Sequence, residues 1–527
     1  MATHPILSLR LSHIRSFKDT GAIEIRPITI LVGRNNSGKS SLTRFFPLLK
    51  QSLQARSNAP LLWFGPFVDF GSFDEVKSSF AADGLITVEF QIPVQPFANY
   101  ILPRGMDSAL NIIPDIGYTM CLCAQEDRTA ICAIRLTIGS DIADIKVSDT
   151  GDITSVSVND NDYTNFFPSD SVKILTNHLV PQFVISDTAS LRRRYSRIPQ
   201  GPLTTPDGAI YELFSRNLHG NVLSRTIYRF IDSVTYRPKD SFISSLSTKP
   251  VEHASWKSFV DRVQGGQLPT TIERMRLLYL VRELPQMLWF LEIILRNIAY
   301  GISYVGPARA TTDRYYRMQE LAIDQIDPAG TNFAMFMNSL STSEQIQFEA
   351  WTKEYIGYSI TPRRSVGHVS LMLNEGESGA GYNLADVGYG LSQIFPVMAQ
   401  IWLNVRRRAI GDSGFRIVAI EQPELHLHPE FQTKIADALV GAVVTAKQNR
   451  NTLSLIVETH SEALINRLGE LIAAGNLAQS EVAIHLFEKE PSDEVTSVRM
   501  AQFDSDGVLE NWPFGFFSGR QPLPTKS

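Results

Sequence analysis

Cysteine is scarce in this chain: its 527 residues include three, Cys121, Cys123 and Cys132. An odd count without metal-ligand spacing excludes a disulfide-stapled scaffold and points to a reducing compartment. Cys121 and Cys123 would face the same side of a strand, and the cysteines are read as structural. An excess of one charge is also lacking. The formal net charge is −5, so any contact with nucleic acid needs a local basic patch. Long apolar runs are missing too. The most apolar stretch, Met287–Leu295, contains Glu292 and falls well short of the ~20 residues of a membrane span. The opening MATHPILSLRL has no basic segment followed by an apolar core, which argues against a secretory leader. No internal repeat, low-complexity segment or sustained heptad pattern stands out. These absences leave a cytoplasmic protein without a membrane partner. A hydrophobic fraction of 43% and a charged fraction of 20% suit a large buried core.

What is present is a change of period along the chain. Residues 1–50 alternate as strands do and turn helical after Gly38. Residues 83–160 stay strand-rich, with LITVEFQI, YTMCLCA, TAICAIRLTI and DITSVSV separated by turn residues. From about 208 to 300 the pattern is helical, with a break expected at Pro285. Beyond 301, helical stretches alternate with the apolar strands FRIVAIE, LSLIVET and VAIHLFE, which implies an α/β sheet with a parallel part.

The sequence GRNNSGKS at 33–40 fits G-x-x-x-x-G-K-[ST] at every specified position. It sits between an apolar strand, Ile28–Val32, and a helical stretch. Backbone N–H groups from Gly33 through Asn35, Asn36, Ser37 and Gly38, with the helix start at Ser40 and Ser41, would cradle phosphates. Lys39 would reach the terminal phosphates, and the Ser40 hydroxyl would bind Mg²⁺.

Such a loop needs a second carboxylate near the metal. The strand Ile417–Ile420 ends in Glu421, followed by Gln422-Pro423-Glu424-Leu425-His426-Leu427-His428. Further on, Leu455–Val457 ends in Glu458-Thr459-His460-Ser461, where His460 can reach a γ-phosphate or the attacking water. Glu424, His426 and His428 also invite a metal-site reading, but that requires an extended stretch, and Pro429 follows at once. Between the loop and these strands, Val387-Gly388-Tyr389-Gly390-Leu391-Ser392-Gln393 opens an apolar helix, a further anion-binding N-terminus.

In this order, IRSF (14–17), GRNNSGKSS, GYGLSQ, IVAIEQPELHLHP and ETHSE resemble the motifs of ABC-type ATPase heads of the SMC, RecF and OLD group. GPARATTDRYY (306–316) and the tail ending NWPFGFF resemble stand-alone bacterial ATPases of phage defence, among them the Septu ATPase PtuA and its retron-associated relatives. The resemblance implies an α/β P-loop head with a mixed sheet, interrupted by a central β-rich and helical insertion. The expected division is an N-terminal ATPase lobe (1–100), a β-rich insertion (101–207), a helical insertion (208–300), a C-terminal ATPase lobe (301–490) and an aromatic tail (491–527).

The resemblance also implies ATP and Mg²⁺ as cofactors, with Ser40 and Glu421 holding the metal. It implies a homodimer whose paired heads sandwich ATP, with Ser392 and the Gly390 backbone contacting the γ-phosphate in trans. By the same likeness the partner is an effector nuclease, most plausibly of the HNH type. A higher oligomer, a reverse transcriptase with non-coding RNA, and nucleic acid itself are compatible further partners. One departure stands out. The residue after the Walker B-like acid is commonly a glutamate that polarises water, and here it is Gln422. General-base action contributes roughly 10²–10⁴-fold, so turnover is expected to be slow unless Glu424 substitutes. Two other readings remain open: a DNA-repair or chromosome-maintenance ATPase, and an ATP-locked dimeric scaffold with negligible hydrolysis.

Other motifs are weaker. Asp504-Ser505-Asp506-Gly507 has a D-x-D look, but Asp-Gly favours a hairpin turn. Arg192–Arg197 is the densest basic run and could meet a phosphate backbone or a partner loop. Arg406–Arg408 follows a helix and complements its C-terminal dipole.

Lys39→Ala is expected to abolish ATP binding in a chain that stays folded. Calorimetric titration with ATP-Mg²⁺ checks this, and an unchanged affinity would remove the loop from the site.

Overall fold

The structure is a computed structural model. It describes residues 7–55, 59–94, 115–126, 128–168, 172–175, 178–185, 205–218, 222–248, 253–319, 323, 325–375, 381–406, 415–449, 451–489, 495–513 and 516. The basic run 192–197 lies outside them.

The site is organised by a seven-stranded mixed sheet. In spatial order its strands are Ile302–Val305, Phe415–Glu421, Thr452–Glu458, Ile28–Gly33, Val482–Glu488, Ser497–Phe503 and Leu509–Glu510. The first five run parallel, Ser497–Phe503 pairs antiparallel with Val482–Glu488, and Leu509–Glu510 pairs antiparallel with Ser497–Phe503. Ile28–Gly33, Phe415–Glu421 and nearly all of the other parallel strands are buried. This is why they read as continuous apolar runs rather than alternating ones. Parallel register brings the strand ends to one edge of the sheet: Glu421 lies opposite Glu458, and Phe487 opposite Gly33.

A second, antiparallel sheet begins at Leu7–Ile14, which pairs with Phe17–Asp19, Ile23–Ile25 and Ile86–Pro93. It continues without interruption through Asp115–Gln125, Arg128–Ile138, Asp141–Val147 and Ile153–Val158 to Asn161–Asp162. The strand Ile86–Pro93 alternates buried and half-buried residues, as expected when one face meets a core. Cys121, Cys123 and Cys132 are free and half-buried on two adjacent strands of this sheet.

The helical stretch resolves into short helices around an aromatic cluster of Phe214, Phe230, Trp256 and Phe259, followed by one helix of 32 residues, Pro269–Tyr300. The break expected at Pro285 does not occur: Pro285 lies inside this helix. A proline removes one backbone hydrogen bond and crowds the preceding turn. Here the helix is buried on most of its turns, including Leu284, Met287, Leu288 and Leu291, and that packing outweighs the local loss. Glu292 in this apolar stretch is satisfied by the backbone N–H of Val180 at 3.0 Å and by Arg296 at 2.6 Å. Among the described residues no helix is long and apolar enough to cross a membrane.

The long helix is fastened to the antiparallel sheet by a buried ion pair. Arg276 and Asp141 are 2% and 1% exposed. The Arg276 guanidinium donates to both Asp141 oxygens, one at 2.8 Å, and also to Glu273 at 2.6 Å. Tyr236 and Asn159 donate to the same carboxylate at 2.5 and 2.9 Å. Burial pulls the Asp141 carboxyl up, but the bonds from Arg276, Tyr236 and Asn159 together hold it below its ordinary value.

Asp141→Ala leaves Arg276 buried without its main counter-charge and is expected to cost about 3–5 kcal/mol. Because the folded-state pKa of Asp141 is depressed, its contribution is present above the unfolded-state value and fades as pH falls through the folded one. Urea unfolding followed at neutral and acid pH checks both, and an unshifted transition at neutral pH would refute the role.

Candidate functional site

The loop after Ile28–Gly33 is shaped by close backbone approach. A Cβ on Gly33 would lie 2.4 Å from the Phe487 carbonyl oxygen, so glycine is required beside the neighbouring strand. Asn36 and Gly38 adopt left-handed conformations, with φ of 62° and 89°, and a Cβ on Gly38 would meet the Phe17 ring at 2.6 Å. These turns deliver the chain into the helix Lys39–Gln54, whose N-cap makes no side-chain hydrogen bond. Its first-turn N–H groups are therefore left for a ligand or solvent. Arg34, Asn35 and Asn36 form an exposed rim, whereas Ser37, Lys39 and Ser41 are buried. The Lys39 ammonium donates to the Gly33 and Arg34 carbonyls at 3.0 and 2.8 Å. Burial pulls its pKa down against the pull of Glu458 and Glu424.

The strand next to the loop strand is Thr452–Glu458, and Phe415–Glu421 lies one place farther out. The P-loop helix sorts the two carboxylates accordingly. Ser40 Oγ donates to Glu458 Oε1 at 2.9 Å, and Thr43 Oγ1 approaches Oε2 at 3.4 Å. Glu421 instead receives a two-pronged bond from Arg44, at 2.8 and 2.9 Å, and the Tyr304 hydroxyl at 2.7 Å. Thus Ser40, which the sequence reading joined to Glu421, meets Glu458. Burial and the neighbouring Glu421 charge push the Glu458 carboxyl up to about 7, against Ser40, Lys39 and Arg44. Arg309 adds bonds to the carbonyls of Glu421 and Gln422 at 2.9 and 3.1 Å. Sequence reasoning assigns no role to Glu458, Arg44, Tyr304 or Arg309. The detectable signals were the acid opening ETHSE and an arginine four residues after Ser40, on the same helix face.

Beyond Glu421 the chain reverses. Gln422 has φ 44°, and its N–H extends the ladder to the Glu458 carbonyl at 2.8 Å. The turn carries Glu424 to the end of the adjacent strand, where Oε1 accepts the His460 N–H at 2.7 Å. The other oxygen, Oε2, is buried without a hydrogen-bond partner. Burial raises the Glu424 pKa, and the His460 N–H only partly offsets this. Desolvation and Lys39 lower that of His460. His428 turns away to cap the helix Pro429–Gln448 through Glu430 N, at 3.3 Å.

The Gly-Ser segment opens the helix Tyr389–Arg406. A Cβ on Gly390 would lie 2.5 Å from the His426 carbonyl oxygen, so this helix start packs on the Glu424–His428 turn. Ser392 is 6% exposed, buried within its own chain. Arg406 stacks over Trp402 at 4.4 Å and faces Glu344 at 3.6 Å. The Asp504 carboxylate accepts the N–H groups of Asp506 and Val508 at 2.9 and 2.8 Å, closing a turn.

Together, an uncapped helix N-terminus, a loop too tight for side chains, a buried lysine and an unpartnered carboxylate oxygen fit a bound polyphosphate and a hard cation. The donor set is hydroxyl and carboxylate oxygen, as Mg²⁺ prefers.

Comparison with known proteins agrees with this geometry. The family model AAA_15, AAA ATPase domain, matches residues 309–465. That span holds Gly390, Ser392, Glu421, Glu424 and His460, and the loop 33–40 lies outside it. Residues 309–465 are therefore similar to an AAA ATPase domain. Among solved structures, the chain resembles the Smc head domain with an extended coiled coil bound to the C-terminal domain of ScpA, derived from Pyrococcus furiosus. The identity is 11%, over 95% of this chain and 97% of that one, with a TM-score of 0.35. The SmcHead bound to the C-winged helix domain of ScpA gives 11%, 94%, 97% and 0.35. The SMC head domain from Thermotoga maritima gives 9%, 94%, 98% and 0.30. At these scores the fold assignment rests on the strand order and loop, not on superposition. No curated protein matches the chain.

Glu424→Gln is expected to lower ATP turnover by about 10²–10⁴-fold, the usual worth of a general base, and Gln422→Glu to raise it. The wild-type rate should fall on the acid side at a higher pH than an ordinary carboxylate allows, since the raised Glu424 must be ionised to accept a proton. Steady-state ATPase assays across pH check this. Rates indifferent to both substitutions would place the catalytic water elsewhere.

Proposed function

We propose that this chain is an ABC-type ATPase of the SMC, RecF and OLD group, binding ATP with Mg²⁺ and hydrolysing it slowly. The observation that supports this best is the convergence of Lys39, Ser40, Glu424 and His460 on the loop Gly33–Ser41 at the parallel edge of the sheet. In this reading the loop N–H groups and Lys39 bind the phosphates, and Mg²⁺ offsets charge on the phosphate oxygens. Lys39 exchanges its two carbonyl partners for phosphate oxygens. Glu424 accepts the proton of the attacking water through its unpartnered oxygen, and His460 orients that water or the γ-phosphate. The Gln422 amide cannot accept a proton, which keeps the rate low.

The wider role we propose is that of an ATP-dependent sensor or regulator of an effector nuclease, most plausibly HNH-type, in bacterial anti-phage defence. The support is the sequence likeness to stand-alone defence ATPases. A homodimer pairs two such heads, and because Ser392 is buried in the single chain, its engagement in trans requires that helix start to open.

The purified chain alone is expected to leave DNA and RNA uncut, to dimerise with ATP in sedimentation, and to co-purify with a nuclease from its native source. Lys39→Ala should remain monomeric. Metal-dependent cleavage by the isolated chain, lost on changing Asp504 and Asp506, would contradict this role.

A further inference from the structure

All three cysteines of the chain lie on the adjacent strands Asp115–Gln125 and Arg128–Ile138. We propose that Cys123 and Cys132 form a site of reversible oxidation, closing to an intrachain disulfide when the chain meets hydrogen peroxide. This is independent of the ATP reading of the loop.

The first argument is register. Cys121 pairs with Ala133 and Leu122 with Ile131, so Cys132 is the extra residue of a β-bulge. A bulge sets two residues of one strand opposite one of the other and re-aims a side chain. Cys121 and Cys123 alternate with buried Met120 and Leu122, so they point away from the core. Cys132 and Ala133 lie between buried Ile131 and Ile134 and share that outer face. The Cys132 Sγ lies 3.3 Å from the Cys121 carbonyl oxygen. The Cys123 Sγ lies 3.7 Å from the carbonyl oxygen of Ala130, on the Cys132 strand. Each thiol thus leans toward the opposite strand, and the two are hydrogen-bonded to each other.

The second argument is chemical. The outer face is polar and carries the ion pair of Arg135 with Asp144. The thiols are free and half-buried there, whereas a thiol sunk in an apolar core is inert. The hydrogen bond with Cys132 holds the Cys123 thiol below its ordinary pKa against burial, and the same bond, with burial, pushes Cys132 up. Cys123 is therefore the nucleophile and Cys132 the resolving thiol. The Cys123 thiolate attacks one peroxide oxygen and the O–O bond breaks. This gives a sulfenic acid and a hydroxide that takes up the thiol's proton as water. The Cys132 sulfur then attacks the sulfenic sulfur. An S–S bond forms, the S–O bond breaks, and the hydroxyl leaves with the Cys132 proton as a second water. Two thiols lose two electrons, and one peroxide gains them.

The third argument is reversibility. The disulfide would enclose only residues 124–131 between its ends. A loop this short gives a disulfide little stabilisation, and its half-buried sulfurs stay open to attack by a dithiol. A reducing compartment keeps the pair open until an oxidant arrives.

The test uses the full-length chain, reduced, desalted, treated with hydrogen peroxide and alkylated. Trypsin cuts after Arg128, between Cys123 and Cys132, so the disulfide shows in mass spectrometry as two linked peptides that dithiothreitol separates. The wild type should lose two of its three free thiols, and fragment ions should place the link at Cys123 and Cys132 without recourse to any variant. Cys121→Ser should keep the link. Cys123→Ser and Cys132→Ser should lose it while keeping the wild-type circular dichroism, and Cys132→Ser should accumulate a sulfenic acid at Cys123 that dimedone traps. A wild type that keeps all its free thiols, or passes to sulfinic acid without a link, would overturn the site. So would a link that survives Cys123→Ser or is lost in Cys121→Ser, since either places the bond at Cys121.

Discussion

Two negative groups placed side by side at the buried end of a parallel sheet repel each other, and the site depends on how that repulsion is settled. Glu421 is compensated by the fixed charge of Arg44. Glu458 has a hydroxyl as its nearest partner and is pushed up to about 7. One acid is thus permanently satisfied, and the other is left with unmet demand for positive charge. Burial makes that demand strong, because few waters are available to screen it.

The surrounding glycines follow from the same need for closeness. Gly33 lets the loop touch the strand Val482–Glu488, and Gly390 lets a helix start rest on the His426 carbonyl. Both contacts join segments far apart in sequence, so the site belongs to the assembled sheet rather than to any one segment. Glu424 shows the result: it leaves its own strand by a left-handed turn at Gln422 and is fixed by the N–H of His460 from the next strand.

The loop Gly33–Ser40 was legible in the sequence because its chemistry is local, and the parallel strands because burial on both faces writes unbroken apolar runs. Strand neighbours were not legible. FRIVAIE and LSLIVET carry equivalent acids, and nothing local tells which of them borders the loop. The strand Asp141–Val147 escaped for a related reason. Its exposed positions make DIADIKV resemble a turn-rich spacer, although every second residue is buried. Pro285 misled because a local helix preference was overridden by packing that the sequence does not display.

The helix Pro269–Tyr300 connects the antiparallel sheet to the mixed sheet. It is fastened near its start by Arg276 to Asp141, and at its end it passes through Gly301 into the edge strand of the mixed sheet. Gly301 has room for no side chain, since a Cβ there would meet the Phe415 carbonyl oxygen at 2.3 Å. Immediately beyond it, Lys50 of the P-loop helix holds the Ile302 carbonyl oxygen at 2.5 Å. At 1.5 Å per residue the helix of 32 residues is about 48 Å long. One continuous helix therefore ties Asp141 of the antiparallel sheet to the edge strand that Lys50 holds, so the two sheets share a single connecting element.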